Sequence, residues 1–347
     1  MEGASLPLPD VHLWSEQRTV DDWTAAAFRE RIRREGAPHH LAKYNRGVYE
    51  FAVDVLDDPA LAAAAPDASA DRRSRYQAAE QQLAFMMTAL DRELGEAETG
   101  RLIRMVLHTE QGALFSIAVT PKNYVLGIVF GVAAAEEGGA PPSLPRVALV
   151  RDADVVVSEL GNALRDRMGL PRQNPGGWLT LSPEPEDAGT DEPAAGTGRL
   201  SSPHRWGAES ACTDRMAALL NPAELIYMAL VRDGRVVEET DLWSHERVVE
   251  TWLPEDDPES RRSYYRRLAG ECGLYARQLG QIARLAMRGR MLRIVLDVEQ
   301  GAIYHYRLGP TEYLVGVTLN QKRVSQADEK IGDLAAELSG EMFRTQW

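Results

Sequence analysis

Residues 72–131 recur as residues 261–320 at a constant spacing of 189, without a gap and with 18 identities over the 60 positions. A self-match of that length means that one supersecondary pattern is written twice, so the chain must fold as two related units. The identities include Arg72, Arg73, Ser74 and Tyr76 against Arg261, Arg262, Ser263 and Tyr265. They also include Glu110-Gln111-Gly112-Ala113 against Glu299-Gln300-Gly301-Ala302, and Pro121, Tyr124 and Gly127 against Pro310, Tyr313 and Gly316. Past a break, Ala153-Asp154, Leu160, Leu164 and Met168 match Ala327-Asp328, Leu334, Leu338 and Met342 at a spacing of 174. The first copy therefore carries 15 extra residues, a Gly- and Pro-rich insertion near 132–147 that reads as a surface loop. A shorter echo sets Trp14-Ser15, Arg18, Val20 and Trp23 against Trp243-Ser244, Arg247, Val249 and Trp252.

The second copy shows its elements clearly. Thr213 to Leu220 reads as a short helix. Leu225 to Val231, the turn Arg232-Asp233-Gly234-Arg235 and Val236-Val237 form a hairpin signature. Apolar residues at Leu268, Cys272, Tyr275, Leu279, Ile282 and Leu285 recur every three or four positions, which predicts a long amphipathic helix over 258–288, closed by Gly289. Period-two runs at 292–298, 302–308 and 313–319 predict a three-strand meander with one buried face. A last helix is expected over 326–343. Five antiparallel strands with flanking helices make an α+β unit of ordinary domain size.

This order resembles the roadblock family, which includes dynein light chains and bacterial gliding regulators. The resemblance covers roughly 214–342 and rests on Val231 to Val237, on Leu292 to Leu308 with its central Gln300-Gly301, and on Tyr313 to Leu319 with the helix that follows. The first copy is similar over about 72–168 but departs at its front. Lys43 to Asp54, turning at Asn45-Arg46-Gly47 after a helix over 20–34, is one source for the missing hairpin; a permuted or degenerate first copy is the other. Profilin-like and longin folds share a meander flanked by helices and stay open as relatives. The resemblance implies two roadblock-like copies joined as an intramolecular pseudo-dimer: a first over 1–170, a disordered, Pro-, Gly- and acid-rich linker over 171–211, and a second over 212–347.

Net charge is −13, which argues against nucleic acid and anionic membrane as partners. No apolar run reaches the length of a membrane span and the first ten residues do not read as a secretory signal, so a cytoplasmic location is expected. Cys212 and Cys272 cannot build a disulfide framework or a Cys-rich metal site, and Cys272 falls on the apolar helix stripe. No phosphate-binding loop, Gly-x-Ser-x-Gly, His-Glu-x-x-His or Cys-x-x-Cys is present, and the adjacent His39-His40 make a poor chelate. The repeated Glu-Gln-Gly reads as a hairpin turn whose glycine supplies a positive φ, not as an acid/base pair. No cofactor, metal or catalytic residue is expected, and the chain is expected not to be an enzyme. The resemblance implies a scaffold or regulator that binds a small Ras-like GTPase; a ligand-sensing module of the profilin/GAF-like class is the alternative. The repeated Arg72, Arg73, Arg261 and Arg262 start helices where positive charge opposes the helix dipole. They are candidates for partner binding, unless solvent or a nearby acid accounts for them.

Overall fold

A computed structural model describes residues 12–14, 21–58, 69–130, 147–181, 202–207, 210–252 and 257–339. The period-two segments form one antiparallel sheet of 12 strands. In chain order the first half contributes β1 (His12–Trp14), α1 (Asp22–Ile32), β2 (His40–Asn45), β3 (Val48–Asp54), α2 (Ser69–Leu94), β4 (Leu102–Thr109), β5 (Gly112–Thr120), β6 (Asn123–Phe130) and α3 (Val147–Arg167). The second half contributes β7 (His204–Gly207), α4 (Ala211–Leu219), β8 (Tyr227–Arg232), β9 (Arg235–Asp241), α5 (Glu246–Trp252), α6 (Pro258–Ala286), β10 (Met291–Val298), β11 (Gly301–Arg307), β12 (Glu312–Thr318) and α7 (Val324–Ser339). The strand order β1-β3-β2-β6-β5-β4-β10-β11-β12-β8-β9-β7 runs through the same sequence of equivalents from either end. The halves meet where β4 pairs antiparallel with β10, with Val106 opposite Val295.

Among the described residues each half thus contributes six strands rather than the expected five. The sixth is an edge strand, β1 on β3 and β7 on β9. Both are short and of mixed polarity, so no alternation betrays them. The front of the first copy is neither permuted nor degenerate: α1, β2 and β3 stand where α4, β8 and β9 stand in the second. The two hairpins turn alike, with Arg46-Gly47 and Asp233-Gly234 all at positive φ, the geometry a tight two-residue hairpin demands. The echo of Trp14 in Trp243 has no structural counterpart. Trp14 lies on edge strand β1, whereas Trp243 follows β9 and is fully buried. Ser15, Arg18 and Val20 lie outside the described residues, as do the insertion loop over 131–146 and the end of the chain from 340.

The expected linker is ordered at both ends. Residues 171–181 include a 3-10 segment, Pro175–Leu181, and residues 204–207 are β7. Its composition is poor in apolar side chains, but its backbone finds partners: the Gly176 N–H donates to Asp297 at 2.6 Å, and Gln321 donates to the Asn174 carbonyl at 2.7 Å. Residues 182–201 lie outside the described residues.

Helices cover both faces of the sheet, which corrects the one-buried-face reading. The long helices α2 and α6 pack against each other on one face. Tyr76, Leu83, Met87 and Leu90 of α2 and Tyr265, Leu268, Leu279 and Ile282 of α6 share a core with Met105, Leu107, Ile294 and Leu296. On the other face, residues of α1, α3, α4 and α7 pack on Val106, Phe115, Val295 and Tyr304. Helix α6 starts at Asp257, whose side chain accepts from the Ser260 N–H at 3.0 Å, followed by Pro258 in the first turn.

The repeated glycines of the Glu-Gln-Gly turns are needed for close approach. A Cβ on Gly112 would overlap the Val129 carbonyl oxygen, and one on Gly301 would overlap that of Thr318. Gly112 has a positive φ of 147°, but close backbone approach is the constraint the two copies share. Gly301→Ala is expected to lower unfolding free energy by about 1–3 kcal/mol, because β11 and β12 must separate. Urea denaturation measures it, and an unchanged midpoint contradicts the packing.

Candidate functional site: the junction of the halves

The paired arginines resolve into structural latches. Arg73 on α2 grips Asp54 at the end of β3, with Nε to Oδ2 at 2.8 Å and Nη2 to Oδ1 at 2.6 Å. Arg262 on α6 grips Asp241 at the end of β9 in the same two-pronged way, at 2.8 and 3.1 Å. Each aspartate also accepts a backbone N–H two residues on, from Leu56 and from Trp243. The nearby acid is therefore what accounts for these helix-start charges. Arg261 donates to the Ala97 carbonyl of the other half, and Arg72 is buried with its guanidinium 6.0 Å from the Phe130 ring. Of the four arginines expected to meet a partner, Arg72, Arg261 and Arg262 are buried and Arg73 is partly buried, and Arg73, Arg261 and Arg262 bond within the chain.

The repeated glutamates have the same character. Glu110 of the first half accepts from the Arg290 backbone N–H at 2.9 Å and from its Nε at 2.6 Å. Glu299 of the second accepts from the Arg101 N–H at 3.2 Å. Arg101 and Arg290 are themselves repeat equivalents. Each turn thus clasps the other half, as an isologous interface requires. The turn reading was right in place and incomplete in role, because a contact across 180 or more residues leaves no local trace.

At the centre of the sheet, alternate residues of β4 and β10 carry charge into the interior beneath α3 and α7. Arg104 reaches Asp297 with two bonds of 3.0 Å and also reaches Asp154 of α3. Its repeat equivalent Arg293 donates to Asp328 of α7 at 2.8 Å, and Tyr306 donates to the same carboxylate at 2.7 Å. Asp154 and Asp328 are equivalents as well, so each half supplies one strand arginine bonded to its own helix aspartate. The symmetry breaks at two positions: the first half has His108 where the second has Asp297, and Ile117 where the second has Tyr306.

Two guanidinium groups face three buried carboxylates. Burial and the repulsion of Asp297 outweigh the attraction of Arg104 and push Asp154 up to about 6. Burial likewise raises Asp328, against the pull of Arg293 and the Tyr306 hydroxyl. Burial opposes the charge of Arg104, but Asp154 and Asp297 more than offset it and its basicity rises. Burial and then Arg293 push His108 down to about 3, so it is neutral.

Two further places carry ligand-type side chains without forming a site. His204, Glu239 and Asp241 lie close enough together to hold a cation. Arg262 takes Asp241, however, and Arg266 and the Tyr227 hydroxyl take Glu239, so the lone pairs a metal needs are occupied by fixed donors. Cys272 is buried and its thiol is pushed up to about 12 by burial, far from a reactive thiolate. Between α3 and α7, in contrast, a pocket opens over the junction, lined by His108, Arg151, Asp154, Trp178 and Asp328 among others.

No known protein family and no curated protein matches the chain. One solved structure, described as the gliding protein MglB from Thermus thermophilus, is similar at 18% identity over 39% of this chain and 95% of that chain, with a TM-score of 0.27. So distant a likeness carries nothing about function. No described helix is long and apolar enough to cross a membrane.

Arg104→Met strands two buried carboxylates, and a loss of about 3–5 kcal/mol in unfolding free energy is expected from thermal or urea melts. A variant as stable as the parent contradicts the network.

A pH dependence follows from three histidines, His305 buried and His39 and His108 partly buried. Burial lowers His39 to about 4, His108 to about 3 and His305 to about 4. The unfolded chain, with histidines near pKa 6.5, therefore binds protons that the folded chain refuses, and stability falls as pH drops from about 6.5 towards 4. At pH 5 each histidine costs up to about 2 kcal/mol, and protonation of the raised Asp154 offsets a smaller amount. Urea midpoints at pH 7 and pH 5 are expected to differ in that direction, and His305→Phe is expected to shrink the difference.

Proposed function

We propose that the chain is a non-catalytic scaffold or regulator in which two roadblock-like halves form a built-in dimer that docks a small Ras-like GTPase. The observation that carries this reading is the duplicated sequence, supported by a strand order that repeats from both edges of the sheet to the β4–β10 junction. Fusing two such units removes the concentration dependence of pairing and lets the halves diverge.

The paired helices α2 and α6 offer the docking face. Phe85 and Leu274, 58% and 49% exposed, are repeat equivalents at a spacing of 189, so both halves show an apolar side chain at the same place. Arg277 and Arg284 on α6, and Arg288 just past its end, are exposed on a chain whose net charge is −13. An apolar pair beside a basic row suits a partner with an acidic rim around an apolar knob.

Titration of the full chain with small GTPases in the GDP state and with a non-hydrolysable GTP analogue tests the reading by calorimetry. Binding in at least one nucleotide state is expected, with Phe85→Asp and Leu274→Asp each weakening it about tenfold or more at unchanged melting temperature. Absence of binding in both states removes the GTPase reading.

A further inference from the structure

The two copies differ at the end of one strand, and the second copy shows what fills the place. Arg307, the last residue of β11, donates from its Nε to the Gly309 carbonyl at 2.9 Å, and its Nη2 stands 3.5 Å from that of Pro310. Its charge also reaches Glu110. Burial would raise that carboxyl, but Arg290 and then Arg307 outweigh burial and hold it below the usual carboxylate range. The repeat equivalent of Arg307 is Ala118, and those of Gly309, Pro310 and Glu110 are Thr120, Pro121 and Glu299. All four equivalents line one cavity of about 240 Å³, which also takes in Asp91, Arg101 and Arg165. The cavity thus lies where a guanidinium and its stem are cut back to a methyl group.

We propose that this cavity binds a small alkylguanidine, a cation of the class of agmatine, whose guanidinium takes the place that Arg307 fills in the second half. The Glu299 carboxylate accepts from the Arg101 backbone N–H at 3.2 Å and, unlike Glu110, receives no hydrogen bond from an arginine side chain among the described residues. Glu299 is exposed, so an incoming donor can reach it. The two lining arginines are committed elsewhere. Arg101 bonds Asp91, whose equivalent in the second half is Gly280. Arg165 donates to the carbonyls of Val119 and Pro171 at 2.6 and 2.7 Å. Charge permits a further cation. The first half sets Arg101 and Arg165 against Asp91 and Glu299, whereas the equivalent positions of the second set Arg290 and Arg307 against Glu110 alone. One added guanidinium gives the first half the balance that the second already carries. A planar guanidinium suits such a place, because it presents its donors in a fixed fork and its bonds to a carboxylate are charge-assisted.

The site goes beyond the GTPase reading and uses none of the residues named for it. The test is calorimetry on the full chain with agmatine, and with N-carbamoylputrescine, in which a neutral urea of nearly the same shape replaces the guanidinium. Saturable binding tighter than about 1 mM is expected for agmatine, with the urea weaker by about tenfold or more. Ala118→Arg restores the side chain of the second half and is expected to abolish binding. Glu299→Gln keeps an acceptor for the Arg101 N–H and removes the charge, so a loss of about five- to tenfold is expected at an unchanged melting temperature. No saturable binding of agmatine, equal binding of the urea, or full binding by either variant overturns the proposal.

Discussion

The antiparallel pairing of β4 with β10 is the constraint from which the remaining architecture follows. Once these strands share a ladder, two six-strand halves become one continuous sheet that, among the described residues, ends at β1 and β7. A strand in the middle of so wide a sheet has no solvent face, because helices from both halves close over it. Every side chain on β4 and β10 is then committed to the interior or its margin. The long helices are brought together on one side, and α3 and α7 are brought near each other on the other.

That placement explains why the junction carries charge. An entirely apolar pair of central strands would satisfy burial, but it would not distinguish this pairing from a slipped one. Arg104, Arg293 and Asp297 on one face fix the register, since a shift by one residue would turn three charges into the apolar layer beneath α2 and α6. The reciprocal clasps of Glu110 with Arg290 and of Glu299 with Arg101 fix the ends of the same ladder. Asymmetry enters at His108 against Asp297, and at Ile117 against Tyr306. The ordered segment around Gly176 fills the neighbourhood of Asp297, and a pocket remains above His108. Duplication thus supplies a symmetric frame, and divergence at its centre supplies a feature a homodimer would have in two copies.

Much of the fold was legible because it is encoded locally. The Asp233-Gly234 turn, the helix stripe from Leu268 to Leu285 and the alternation of β10 to β12 each depend on neighbours within a few positions, and each stands where the sequence places it. Lys43 to Asp54 was readable as a hairpin for the same reason. Strands β1 and β7 were not, since three or four polar or mixed residues at a sheet edge carry no alternation. The arginines at 72, 73, 261 and 262 were visible as repeated and unexplained. Asp54 and Asp241, which explain two of them, lie 19 and 21 positions away on another element.

By itself the sequence determined that the chain holds one α+β pattern twice, where most elements begin and turn, and which residues recur, because periodicity and identity are properties of neighbouring or equivalently placed residues. Only the tertiary structure decided what the recurring charges do. Arg104 and Asp297 are 193 positions apart, and Glu110 and Arg290 are 180 apart. Their alternation on a strand looks like a solvent-facing pattern until helices from both halves close over it. Burial is a property of the assembled sheet, and it converts a polar stripe into an ion-pair network with a pocket above it.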